Sequence, residues 1–217
     1  MSNERKMIYL CLAHMSDEGL EQKYIKEAFD TNWVVPLGPN VNAFEDELKQ
    51  FVGKDQQGQE KEVVALSAGT AAVHLALIAC GVKAGDEVCV QSFTFCASSH
   101  PITYLGATPV FIDSEPDTWN MDPDLLDKAI LDRIEKTGKK PKAIIPVALY
   151  GMPYDCERIM AVAEKYDIPV IEDAAEGFGS KFRGQVLGTF GKFGVLSFNG
   201  NKMITTSGGG ALVCENA

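Results

Sequence analysis

The sequence predicts an α/β fold of three layers, α/β/α, around a mostly parallel sheet. Three observations carry that expectation. Short apolar segments alternate with helical ones along most of the chain, the pattern of parallel strands joined by crossover helices. The apolar segments are nearly continuous Val/Ile runs, as strands covered on both faces require. The chain's 217 residues suffice for one sizeable core and are too few for two, and no repeat, low-complexity tract or linker divides them.

The elements follow in order. About forty residues of extended and short helical character come first. "NAFEDELKQFVG" is then an amphipathic helix stopped by Gly53. "EVVALS" is a strand, "GTAAVHLALIACG" a helix that is apolar nearly all round and so expected to be buried, and "DEVCVQS" a strand. "CASSHPITYLG" is a helix start broken by Pro101, and "TPVFID" a strand. "DPDLLDKAILDRIEK" is a helix with Asp122 as N-cap and Pro123 at its first position. "AIIPVALY" is a strand, "DCERIMAVAEKYD" a helix, and "PVIEDAA", "FGVLSF" and "GGALVC" are strands.

A net charge of −10 argues against general nucleic-acid binding, which needs a basic footprint, yet leaves room for an anionic small molecule held by backbone amides. No segment is apolar for long enough to cross a bilayer. The N-terminal "MSNERKMIYLCLAHMS" lacks the apolar core and cleavage site of a signal peptide. Cys11, Cys80, Cys89, Cys96, Cys156 and Cys214 are scattered without C-x-x-C spacing. That argues against a disulfide framework or a metal site and suits a reducing cytoplasm.

Ligands of such sheets bind at the carboxyl ends of the strands. After the first strand, Gly69 and Thr70 open a helix whose outward amides and hydroxyl would cup a phosphate; a plain N-cap by Ser67 or Thr70 is the competing reading. Neither G-x-x-x-x-G-K-[ST] nor G-x-G-x-x-G is present, so nucleotide hydrolysis and dinucleotide binding have little support. Phe93 and Phe95 follow a strand, where one of them could cover a planar ring or simply pack in the core. Glu172 and Asp173 end another strand and aim one carboxylate at a partly buried place, as a helix cap or as the partner of a cation. Lys202 comes five residues after Ser197, in "SFNGNKMITTSGGG". A phosphate cup, an aromatic plate, a carboxylate, a serine and a lysine thus follow successive strands. Their order meets the needs of pyridoxal phosphate: a lysine for the Schiff base, a carboxylate for the ring nitrogen, and amides and hydroxyls for the phosphate.

With those residues in place, the chain resembles the nucleotide-sugar aminotransferases of the DegT–StrS group, pyridoxal-phosphate enzymes with an aspartate-aminotransferase-like fold. "AFDTNWVVPLGPNVNAFEDEL", "SAGTAAVHLAL", "GDEVCVQSFTFCAS", "PVIEDAAEGFGS" and above all "GVLSFNGNKMITTSGGGALV" carry the resemblance. It implies that Lys202 bears the cofactor and shuttles protons, that Asp173 pairs with the pyridine nitrogen, and that Glu176 sits near the ring hydroxyl. Glu176 stands where glutamine or histidine is commonest in the family. Gly69, Thr70 and Ser197 would hold the phosphate, and Phe95 would stack on the ring.

The same resemblance implies an amino-acid donor, glutamate, a nucleotide-linked keto-deoxysugar acceptor and a homodimer. The setting would be surface-polysaccharide synthesis in the cytoplasm, with no nucleic-acid or membrane partner. Relatives with histidine in place of the lysine are dehydratases, so Lys202 favours transamination; a sugar dehydratase and a non-catalytic cofactor-binding protein are the alternatives. Residues 1–217 would be an N-terminal arm plus the large cofactor-binding domain, without the family's smaller C-terminal domain.

Overall fold

The computed structural model describes Met7 and residues 14–55 and 57–215. Cys11 and most of the stretch read for a signal peptide lie outside the described residues. In chain order the elements are α1 (Leu20–Asp30), α2 (Pro39–Val52), β1 (Glu62–Leu66), α3 (Gly69–Ala79), β2 (Glu87–Gln91), α4 (His100–Tyr104), β3 (Thr108–Ile112), α5 (Pro123–Thr137) and β4 (Ala143–Ile145). They continue with α6 (Cys156–Tyr166), β5 (Ile171–Asp173), β6 (Lys181–Phe182), β7 (Gln185–Val186), β8 (Phe193–Ser197) and β9 (Gly210–Cys214). Among the described residues no helix is long and apolar enough to cross a membrane.

The main strands run in the spatial order β3-β2-β4, then β5-β8-β9-β1. The two groups meet through parallel bridges from Ile144 to Val170 and from Val147 to Asp173. β2 is parallel to β3 and to β4, and β5 is parallel to β8, whereas β9 is antiparallel to both of its neighbours. The mostly parallel sheet is therefore present, with one reversed strand. The reversal has a simple cause. A parallel neighbour needs a crossover connection, usually a helix. Residues 198–209 hold no helix and only fold back, so β9 returns against β8.

Alternation along the strands divides the core into two. Cys89, Ile144, Leu196, Ala211 and Val213 pack on one face with Leu48 of α2, Leu126 and Ile130 of α5 and Ile159 of α6. Val88, Val90, Ala143, Ile145, Val195 and Leu212 pack on the other with Ala72, Val73, Ala76 and Leu77 of α3 and Ile102 of α4. This is the three-layer arrangement, and it explains the unbroken apolar strands, because consecutive residues serve opposite cores.

Helix ends follow the capping rules where those applied. The Asp122 side chain accepts from the amides of Asp124 and Leu125, with Pro123 at N1, and Asp155 caps α6 through the Arg158 amide. Two expectations are corrected, and one element is added. Pro101 does not break a helix but sits in the first turn of α4, where its missing N–H costs nothing. α3 is not buried all round: Leu75 and Ile78 are exposed, because the sheet and α4 cover only part of its circumference. The short β6–β7 hairpin had no strand signal, since its two-residue strands are too brief for alternation to show.

"SGGG" looks flexible in sequence and is tightly packed in the fold. Gly210 pairs with both Leu66 and Ser197, which wedges the start of β9 between the ends of β1 and β8. A Cβ on Gly210 would lie 2.4 Å from both Ala68 C and Gly69 N, inside backbone that cannot swing away. Gly210→Ala is expected to cost about 1–3 kcal/mol of stability, the usual penalty of overpacking. The measurement is the urea midpoint at unchanged slope. An unshifted midpoint would mean that the strand yields at this point.

Candidate active site

The carboxyl ends of β1, β4, β5 and β8, with the start of the reversed β9, border one cavity of about 270 Å³. Gly69, Thr70, Phe95, Asp173, Glu176, Ser197 and Lys202 all line it, so the fold brings together every site residue read from the sequence.

At one wall, α3 begins without a cap. Its N-cap position is the extended Ala68, and among the described residues no side chain caps its first turn. Ser67 and Thr70 do not take the capping role, and the amides that open the helix have no intrahelical acceptor. Together with the helix dipole they favour an anion. Gly69 permits the close approach of this helix to β8: an added Cβ would stand 3.0 Å from Ser197 Cβ and 3.3 Å from its Oγ. The buried Ser197 hydroxyl is thereby set beside the helix start.

Glu172 and Asp173 are adjacent on β5 and diverge, because successive strand residues face opposite ways. Glu172 is wholly buried and accepts from the amides of Gly188, Phe190 and Gly191 at 3.0, 2.5 and 2.8 Å. It anchors the segment leading into β8 and does not line the cavity. Asp173 does. Its Oδ2 accepts from Ser98 Oγ at 2.6 Å and its Oδ1 from the Ala175 amide at 3.2 Å, so it caps a turn rather than a helix. Burial pushes the Asp173 carboxyl above the usual aspartate range, opposed by the Ser98 hydroxyl, the Ala175 amide and the charge of Lys202.

Lys202 stands where the chain turns after β8, its amide bonded to Asn199 O at 3.0 Å. Its side chain is only 11% exposed, and its Nζ lies 3.3 Å from Glu176 Oε1. The other Glu176 oxygen accepts from the Tyr150 amide at 2.6 Å, at a residue held in the left-handed region with φ 50°. This carboxylate is thus fixed at one oxygen and directed at the lysine with the other. Phe95 is 70% exposed and lines the cavity, so core packing does not account for it. Phe93, two residues earlier, turns instead to Trp119, with ring centroids 5.8 Å apart.

The sequence reading missed several residues. Ser98, Thr94, Asn199 and Asn201 also line the cavity. The wholly buried Gln91 donates to Phe93 O and accepts from the Met121 amide, so it ties the end of β2 to the segment before α5. Asn120 in turn accepts from the Leu149 amide at the cavity wall. A polar residue ending an apolar strand was the only signal for Gln91; Ser98 had none.

The donor set fits pyridoxal phosphate on the evidence of Asp173. That carboxylate is nearly fully buried, yet among the described residues it has no ion-pair partner, because Lys202 pairs with Glu176. A protonated ring nitrogen would supply the missing cation, and the uncapped α3 would receive the phosphate.

Comparison with known proteins bears on the same region. The model of the DegT/DnrJ/EryC1/StrS aminotransferase family matches residues 16–217. EpsN of Bacillus subtilis (strain 168), whose name places it provisionally among the pyridoxal phosphate-dependent aminotransferases, is 54% identical over 97% of this chain and 52% of its own length. A GDP-perosamine synthase of Escherichia coli O157:H7 is 41% identical over 97% of this chain and 54% of its own. Among solved structures, a DegT DnrJ EryC1 StrS aminotransferase from Brucella abortus superposes with a TM-score of 0.80 at 34% identity, covering 94% of this chain and 56% of that one. The chain spans about half the length of the curated relatives it matches.

Proposed function

This chain belongs to the DegT/DnrJ/EryC1/StrS aminotransferase family, and from that membership and the cavity we propose that it forms the arm and large cofactor-binding domain of a pyridoxal-phosphate aminotransferase. The enzyme moves an amino group from glutamate to a nucleotide-linked keto-deoxysugar, for surface-polysaccharide synthesis. One observation carries the reading: Lys202, the buried Asp173 and the uncapped start of α3 border the same cavity. The GDP-linked product in one relative's name supports the acceptor class. Unpaired thiols at Cys80, Cys89, Cys96 and Cys156 suit the cytoplasm. α1 buries none of its residues and exposes Ile25 and Phe29, which supports assembly as a homodimer.

When bound, pyridoxal phosphate supplies an electrophilic aldehyde and a ring that takes up the electrons of a substrate carbanion. The residues of this chain divide the remaining work. The amides of Gly69 and Thr70, with the Ser197 hydroxyl, bind the phosphate. Phe95 covers one face of the ring and excludes water from it. Asp173 holds the proton on the ring nitrogen, which keeps the ring electron-poor. Lys202 Nζ would hold the cofactor at its aldehyde carbon and would serve as the base that moves the proton at the amino-bearing carbon. Glu176, braced by the Tyr150 amide, orients Lys202 beside the ring hydroxyl.

The test has two stages. Glutamate alone should convert bound cofactor to its pyridoxamine form and release one equivalent of 2-oxoglutarate. A nucleotide-linked 4-keto-6-deoxysugar should then return the original spectrum and yield an amino sugar. No conversion with glutamate would indicate a protein that only binds the cofactor. A product that has lost a hydroxyl and gained no nitrogen would indicate a dehydratase.

A further inference from the structure

We propose that Ser98 is a positioning residue: its hydroxyl locks the Asp173 carboxylate in the orientation from which it serves the cofactor's ring nitrogen. The inference rests on the role given to Asp173 above.

Ser98 and Asp173 lie far apart in sequence and both are buried, at 1% and 5% exposure. Ser98 Oγ is 2.6 Å from Asp173 Oδ2 and 2.8 Å from Thr94 Oγ1. An ionised carboxylate only accepts, so the single Ser98 proton goes to Asp173. Ser98 then accepts from Thr94, and the run Thr94 to Ser98 to Asp173 has one direction. Hydroxyls aligned in this way polarise one another and strengthen the final bond. They favour the charged carboxylate, against the burial that favours the neutral one. With its other oxygen on the Ala175 amide, Asp173 is held at both ends and cannot rotate without breaking a bond.

Placement adds a second argument. Ser98 ends the short 3₁₀ turn Cys96–Ser98, which Phe95 precedes, and the Ser98 amide bonds to Phe95 O at 3.1 Å. A single turn therefore sets the aromatic plate for the ring face and the hydroxyl that aligns the partner of the ring nitrogen. Any displacement of this turn moves both.

The experiment compares two non-covalent probes, which removes Lys202 from the measurement. One is pyridoxamine phosphate; the other is its analogue with CH in place of the ring nitrogen. Wild-type protein should prefer the nitrogen-bearing ring. Ser98→Ala should weaken binding of pyridoxamine phosphate about tenfold, the size expected for one bond to a charged group, and leave the analogue unchanged. Ser98→Thr, which keeps the hydroxyl, should restore most of the loss. Should Ser98→Ala fail to fold, the near-isosteric Ser98→Cys, a weak donor, should show the same selective loss.

Equal weakening of both probes would make Ser98 a packing residue and overturn the inference. So would unchanged binding of both in a variant that folds. A wild-type protein that does not discriminate between the probes would remove the role of Asp173 itself, and this inference with it. In that last case the fault is visible before any Ser98 variant is made.

Discussion

Lys202→Arg is expected to abolish covalent attachment of pyridoxal phosphate, and all transamination with it. Were Lys202 a loop cation, arginine would keep the charge and the pairing with Glu176, and little would change. An imine-forming lysine must lose its proton to expose a lone pair. A guanidinium is protonated at any physiological pH and offers none. Its position suits the sharper role, because the side chain is largely enclosed and its Nζ faces Glu176 inside the cavity. The yellow absorbance and the borohydride-trappable link should both vanish, while Gly69, Thr70 and Ser197 still hold the phosphate of free cofactor. Peptide mapping of reduced wild-type protein should find the adduct on Lys202. Lys192 immediately precedes β8, at the end of the strand opposite Lys202, and Lys181 lies in the β6–β7 hairpin. An adduct on either would sink this reading of the site.

Asp173→Asn should bind cofactor and lose at least about tenfold in the rate of the glutamate half-reaction. A carboxylate keeps the ring nitrogen protonated; an amide can hydrogen-bond to that nitrogen without stabilising its charge. Losing half of a charge-assisted bond of ~3 kcal/mol already gives about a tenfold slowing. The surroundings make the substitution worse than isosteric. An amide that keeps its oxygen toward Ser98 turns its NH₂ group on the Ala175 amide, donor against donor. Single-turnover conversion with glutamate is the measurement. A wild-type rate would leave Asp173 as nothing more than a turn cap.

The strand–helix alternation was legible because the central strands β2, β4, β5, β8 and β9 are buried on both faces and the long helices α5 and α6 carry side-chain caps. The β1–α3 unit was readable from "EVVALSAGTAAVHLALIACG" alone, and Asp122 with Pro123 marked the start of α5. Local signals failed where the deciding contact was distant. Whether Thr70 caps α3, or Asp173 caps a helix, turns on groups that the local sequence does not name. The exposure of Leu75 and Ile78 depends on how much of α3 its neighbours cover. Short-range chemistry could not see the β6–β7 hairpin, nor tell a flexible glycine run from one pressed against Ala68 and Gly69.

By itself, then, the sequence determined the layered α/β architecture, the order of the strands along the chain, and the set of residue types waiting at their ends. Periodicity, capping and turn chemistry are properties of neighbouring residues, and they are written locally. Tertiary structure alone decided that β9 runs backward and that Glu172 anchors backbone while Asp173 faces the cavity. It alone placed Ser98 on Asp173 and Glu176 between Tyr150 and Lys202. Those outcomes depend on pairings across tens of residues, set by how a twisted sheet closes around two cores, and no local propensity records them.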